Sequence, residues 1–102
     1  MANTTKIDVQ AVDNELILLA STGRGSELLC HLKSGFNAPV SYVFNPGHIL
    51  PPGSYDLTAI GINWGGPGIF KIVVTSGTTQ TPLVGSGTAT GVVFTKTIPM
   101  TV

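Results

Sequence analysis

Two histidines and one cysteine are the side chains of this 102-residue chain best suited to nucleophilic or acid–base chemistry, and their spacing opposes it. His31 directly follows Cys30, a pair that could form a thiolate–imidazolium couple. Both fall in a segment read as a strand, where neighbours point to opposite faces, so they cannot serve each other. Cys30 therefore reads as a small buried hydrophobe and His31 as a surface or interface residue. His48 lies in the loop Asn45–Gly53, and Asp56 follows shortly after. A hydrolase could use such a pair, yet no Gly-x-Ser-x-Gly elbow, His-Glu-x-x-His or paired glutamate accompanies it. His48 reads as a solvated loop residue with no role in acid–base work. One cysteine and two histidines cannot make a zinc set, and a single cysteine excludes an internal disulfide. Neither a metal nor a cofactor is expected.

Gly65-Gly66-Pro67-Gly68 could suggest a phosphate cradle. It lacks the Gly-Lys-Ser/Thr of such loops, and a strand follows where a helix would be required. Trp64, just ahead of these glycines, admits three readings: an aromatic packed over glycine backbone in the core or at an edge, an anchor for a protein contact, or a sugar-stacking platform. Arg24, presented on Gly-Arg-Gly, reads as an exposed turn tip.

The elements that must position these residues are short strands. Thirteen glycines and seven prolines punctuate runs of Val, Ile, Leu, Phe, Tyr and Thr, a rhythm of strands and turns that indicates a sandwich or barrel. Lys6–Val12 alternates, with Ile7, Val9 and Ala11 on one side, and Asp13-Asn14 is expected to make a two-residue hairpin turn into a buried strand Glu15–Ser21. Thr22–Ser26 turns the chain into Glu27–Lys33. These two Leu-rich segments also suit a helix, but their shortness between turn signals favours strands. Val40–Phe44 follows. Ser54–Asn63 alternates again, with Tyr55, Leu57 and Ala59 on one face and Asp56, Thr58, Ile60 and Ile62 on the other. Ile69–Thr75, a short strand around Gln80–Val84, a small-residue loop Gly85–Gly91 and a last strand Val92–Val102 complete the chain. In that last strand Val92, Phe94, Ile98, Met100 and Val102 share a face, and Pro99 implies an edge or a bulge. The expected fold is all-β, a single small jelly-roll-like β-sandwich of about eight strands over residues 6–102. Met1–Thr5 forms a polar N-terminal arm.

Composition narrows the function classes. Only 10% of the residues are charged, and five acids balance five bases, against roughly 25% charged in average proteins. Weak mutual repulsion suits a protein packed against neighbours. The bases Lys6, Arg24, Lys33, Lys71 and Lys96 are scattered, which argues against nucleic acid. The longest apolar runs, such as Leu16–Ala20, are far short of a bilayer span, so no membrane partner is expected. The N-terminus shows neither the basic nor the apolar region of a signal peptide, so synthesis in a cytoplasm without export by that route is expected.

Leu50-Pro-Pro-Gly-Ser-Tyr-Asp-Leu-Thr-Ala59 followed by Gly61-Ile-Asn-Trp-Gly-Gly-Pro-Gly-Ile-Phe70 resembles a pattern in small β-structured bacteriophage virion proteins. The likeness spans Leu50–Val74, about a quarter of the chain. It implies a non-enzymatic structural protein, a capsid decoration (cement) protein of the virion assembled in a host cytoplasm, with the major capsid protein or other virion proteins as partners. A homo-oligomer, preferably a trimer, is expected. The contact residues expected are Ala2, Asn3, Thr4, Thr5, His48, Trp64 and Pro67. The competing reading is a carbohydrate-binding β-sandwich, a cytosolic microbial lectin.

Overall fold

Side chains that alternate apolar and polar can bury one face only by stacking sheets, and this chain stacks two. The computed structural model describes residues 5–33, 40–66 and 68–102, with the backbone alone of Val40 and Ser41. Eight strands form: β1 (Thr5–Val12), β2 (Glu15–Thr22), β3 (Gly25–Lys33), β4 (Val40–Phe44), β5 (Ser54–Asn63), β6 (Gly68–Ser76), β7 (Thr79–Gly87) and β8 (Gly91–Thr101). A 3-10 turn, Pro46–His48, lies between β4 and β5. The strands make two antiparallel sheets, ordered β4-β1-β6-β7 (sheet A) and β3-β2-β5-β8 (sheet B). The expected all-β sandwich of eight strands is what the chain forms.

Only two connections are hairpins, β2–β3 and β6–β7; the other five cross between sheets. The β6–β7 loop has Gly77 at its first central position with φ +61°, where a side chain would be strained. Asp13-Asn14 is not the expected hairpin turn. It carries the chain from β1 in sheet A to β2 in sheet B, with the Asp13 amide donating to the Ile69 carbonyl at 2.9 Å. Asn14 takes φ +99°, the left-handed tolerance that the turn reading relied on, but both residues are buried beneath a crossover.

Two other expectations shift because of bulges, which change the phase of alternation. In β1 the register slips after Val9, so Val12 rather than Ala11 is fully buried. In β8 it slips opposite Gly61/Ile62, which turns Val92 outwards and leaves it 61% exposed. Phe94, Ile98 and Met100 stay on the inner side as expected. Pro99 sits on β8, an edge strand, where its missing donor costs no ladder bond.

The core joins Ile7, Val9 and Val12 of β1, Leu16 and Leu18 of β2, Leu57 of β5, Phe70 and Ile72 of β6 and Leu83 of β7. At its centre Phe70 and Phe94 stack with centroids 5.9 Å apart and rings 8° from parallel. Glycine makes room for them. A Cβ at Gly85 would lie 2.2 Å from Phe94 Cδ1, and one at Gly61 would lie 2.9 Å from Phe70 Cδ2. The expected short strand Gln80–Val84 and loop Gly85–Gly91 are thus replaced by a strand running to Gly87, whose glycines serve packing instead of turning.

Gly85→Ala should therefore overpack the sandwich and cost about 1–3 kcal/mol. Gly23→Ala, with nothing within 4 Å of the added methyl, should stay within about 0.5 kcal/mol of the parent. Urea unfolding of both variants checks the contrast; equal midpoints would mean that the ring stack adjusts freely.

Candidate functional site

Four strands form the middle of the two sheets: β1 and β6 in sheet A, β2 and β5 in sheet B. The crossovers β1→β2 and β5→β6 leave at the same end, because Val12 pairs with Phe70 and Glu15 with Ile62. Backbone groups that leave a ladder need other partners. Here asparagine side chains supply them.

Asn63, the last residue of β5, is fully buried. Its Nδ2 donates to the carbonyls of Gly66 at 2.7 Å, Ala89 at 3.1 Å and Gly87 at 3.3 Å. Its Oδ1 accepts from the Gly65 amide at 3.3 Å. One carboxamide so ties the β5–β6 crossover to the β7–β8 crossover. Gly68 is pressed against it, since a Cβ there would fall 3.2 Å from that of Asn63. Asn14 adds the second tie: its Oδ1 accepts from the Trp64 amide at 2.9 Å.

Trp64 emerges from this pole 64% exposed, which removes the reading of a core aromatic. Its indole Nε1 donates to Glu15 Oε1 at 2.7 Å. The other carboxylate oxygen, Oε2, accepts from His31 Nε2. Glu15 opens β2 beside Lys33 of β3 and Ile62 of β5, and Trp64 lies two residues beyond Ile62, on the same outward phase. The indole bond, the His31 bond and the nearby positive charges of His31 and Lys33 outweigh desolvation and hold the Glu15 carboxyl below its ordinary value of 4.5. Trp64 is an apolar surface side chain fixed at both its backbone and its ring nitrogen.

The remaining expected residues are dispersed. Thr5 belongs to β1 and not to an arm: it is 1% exposed and its Oγ1 donates to the Thr101 carbonyl at 2.7 Å. Its inward side chain cannot meet a partner. His48 is exposed on the 3-10 turn. That turn precedes β5, whose ten residues put it about 30 Å from the Trp64 pole. Ala2, Asn3, Thr4 and Pro67 lie outside the described residues. Cys30 packs against the core, where burial pushes its thiol up to about 11, the opposite of activation. Among the described residues, no three His, Cys, Asp or Glu side chains cluster as metal ligands, and no helix is long and apolar enough to cross a membrane.

Sequence reasoning named Trp64 and His31 but missed Glu15, which bonds both, and Asn63, which pins the loop that carries Trp64. Asn63 had a readable signal: it continues the buried phase Tyr55, Leu57, Ala59, where a carboxamide needs an internal partner. Glu15 had none, because its partners stand 16 and 49 residues away. No family model, no curated protein and no solved structure matches the chain.

Because Glu15 is favoured as the carboxylate in the folded state, its stabilising contribution is complete above pH 4.5 and is lost as pH falls through its lower folded value. The only tryptophan in the chain reports this directly. Its emission should change reversibly on acidification below pH 4.5, and Glu15→Gln should abolish that acid transition. Asn63→Ala, which removes the buried donor shared by three part-buried carbonyls, should destabilise by about 2–3 kcal/mol. Hydrogen exchange should rise first at residues 64–66 and 88–90.

Proposed function

We propose that the chain is a non-enzymatic structural protein of a virus particle, a capsid decoration or cement protein that stabilises a shell through protein–protein contacts. The observation that supports this most is the immobilised, outward Trp64. Contact energy concentrates in a few aromatic anchors, and an anchor already fixed loses little rotamer entropy on binding. Its bonds to Glu15 and the Asn14 carboxamide supply that fixation. The scarcity of charge on the chain points the same way, since contact cores disfavour charged side chains.

The titratable groups support a non-enzymatic reading. His31 is engaged by Glu15, the Cys30 thiol is held protonated in the core, and His48 stands exposed on a turn at the far end. The partners of this reading are the major capsid protein or other virion proteins. The protein would reside in the virion and work as a homo-oligomer. An exposed indole is equally suited to stack on a sugar ring, so the competing glycan-binding reading turns on the same residue.

Added to shells that lack it, the chain should co-sediment, and Trp64→Ala should weaken that association at least about thirtyfold, the scale of an anchor worth about 2 kcal/mol. Its strand circular dichroism should be retained, with only a modest fall in melting temperature, because the indole is mostly outside the core but its loss takes one donor from Glu15. Undiminished co-sedimentation of the variant would remove Trp64 as the anchor. Glycan-array binding that disappears in Trp64→Ala would replace the virion reading with the lectin.

A further inference from the structure

Among the described residues the indole of Trp64 makes one hydrogen bond, and its acceptor is a group that changes character on gaining a proton. Glu15 is 8% exposed and both its oxygens are occupied. Oε1 accepts from the indole Nε1 at 2.7 Å, and Oε2 accepts from His31 Nε2. The two donors come from opposite sides of β2: Trp64 follows β5, and His31 lies on β3. An ionised carboxylate only accepts, and it has lone pairs for both. A protonated carboxyl carries a hydroxyl, which must itself donate. With the imidazole also protonated, both ring nitrogens donate, so the hydroxyl of Glu15 would face an N–H. The charge that makes such bonds roughly twice as strong as neutral ones is then lost from the carboxyl. The surrounding groups do not replace it. Lys33, directly opposite on β3, favours the ionised form, and Ile62, opposite on β5, is apolar. Asp13, on the crossover before β2, is occupied by Asn14, its Oδ1 accepting from Nδ2 at 3.1 Å.

Taking Trp64 as the contact anchor, on which this rests, we infer that Glu15 is a proton gate on that contact. Ionised, it holds the indole ordered for docking; protonated, it releases the indole and the contact weakens. The direction follows from the bonds. Those from Trp64 and then His31 keep the folded carboxyl below 4.5, so the hold is complete near neutrality and is lost as pH falls below that value. Ordering one free side chain on binding sets the size of the effect, about two- to tenfold in affinity. Glu15 acts here as a positioning residue, since its own oxygens are taken and it is nearly buried beside the ring that docks.

The full chain tests this in two arms, free and with shells that lack it. In the free chain the indole N–H nuclear magnetic resonance signal should shift, and the order of the ring fall, below pH 4.5 while strand circular dichroism holds. Glu15→Gln keeps an acceptor for the indole but takes up no proton, so it should remove that titration. Glu27→Gln, at an exposed carboxylate on β3, should keep it. In the second arm, co-sedimentation of the parent and of Glu27→Gln should weaken about two- to tenfold over the same pH range, and that of Glu15→Gln should stay level. An indole signal that does not move in acid, or that moves equally in Glu15→Gln, would overturn the gate. So would circular dichroism that collapses together with the indole signal, or parent co-sedimentation that stays level through the titration. Undiminished co-sedimentation of Trp64→Ala beside a normal free-chain titration would place the failure in the anchor reading instead.

Discussion

The buried carboxamide of Asn63 is the interaction on which the rest of the molecule depends. A sandwich whose two central strand pairs cross between sheets at one end must bring several loops together there. Their carbonyls have no ladder to join. Asn63 gathers those of Gly66, Gly87 and Ala89 onto one nitrogen and so binds the entry to β6 to the entry to β8. Among the described residues no buried side-chain polar atom is left without a partner, which is what lets such a polar group sit inside a small core. The direction in which Trp64 leaves the sheet follows from this clasp. With residue 63 pinned and residue 65 bonded back to it, the Trp64 amide faces Asn14 and the indole lies over Glu15.

A second constraint is thickness. Two parallel phenylalanine rings fill the space between the sheets, and side chains on the facing strands must shrink to accept them. Gly61 and Gly68 lie against Phe70, and Gly85 against Phe94. Steric contact demands these glycines. They also explain why the chain can be so rich in glycine and still hold long, regular strands, since the entropic cost of a glycine within a strand is offset where nothing larger fits.

Much of the fold was legible for the same reason that parts of it were not. Period-two alternation places Ile7, Val9, Leu57 and Ala59 in the core directly, and the Leu-rich segments around Leu18 and Leu29 resolve as strands once turn signals bound them. Alternation fails where a bulge inserts one residue, as at Val12 and Val92, because a bulge is set by the partner strand and leaves no local mark. Glycine misleads in the same way at Gly85 and Gly87, where its local meaning is a turn and its actual role is contact with Phe94 and Val93. Asp13-Asn14 has the composition of a hairpin turn, but which sheet receives the next strand is decided by long-range pairing. The candidate site was half legible: Trp64 and His31 draw notice as residue types, whereas Glu15 matters only because three strands bring it between them.

Charge placement links these levels. Two of the five acids, Asp13 and Glu15, are almost fully buried at the crossover pole, where they bond to Asn14 and to Trp64 and His31. The charged groups that remain accessible stand on the outward side of sheet A, at strand edges, on the tip of the β2–β3 turn and, with Asp56, on the outward side of β5. A chain of such low charge content therefore does not present a uniformly neutral surface. It sets charges at strand edges, where they block strand addition, and leaves exposed aliphatic side chains on the outward faces of both sheets, Val43, Ile69 and Val84 on sheet A and Leu28 and Val92 on sheet B. Along β2 the outward positions repeat the chemistry of the interior one residue out of phase: Leu16 and Leu18 point in, Ile17 and Leu19 point out. A strand that is apolar on both sides is the pattern of a sheet covered on both faces, and in this sandwich the described residues cover only one of them.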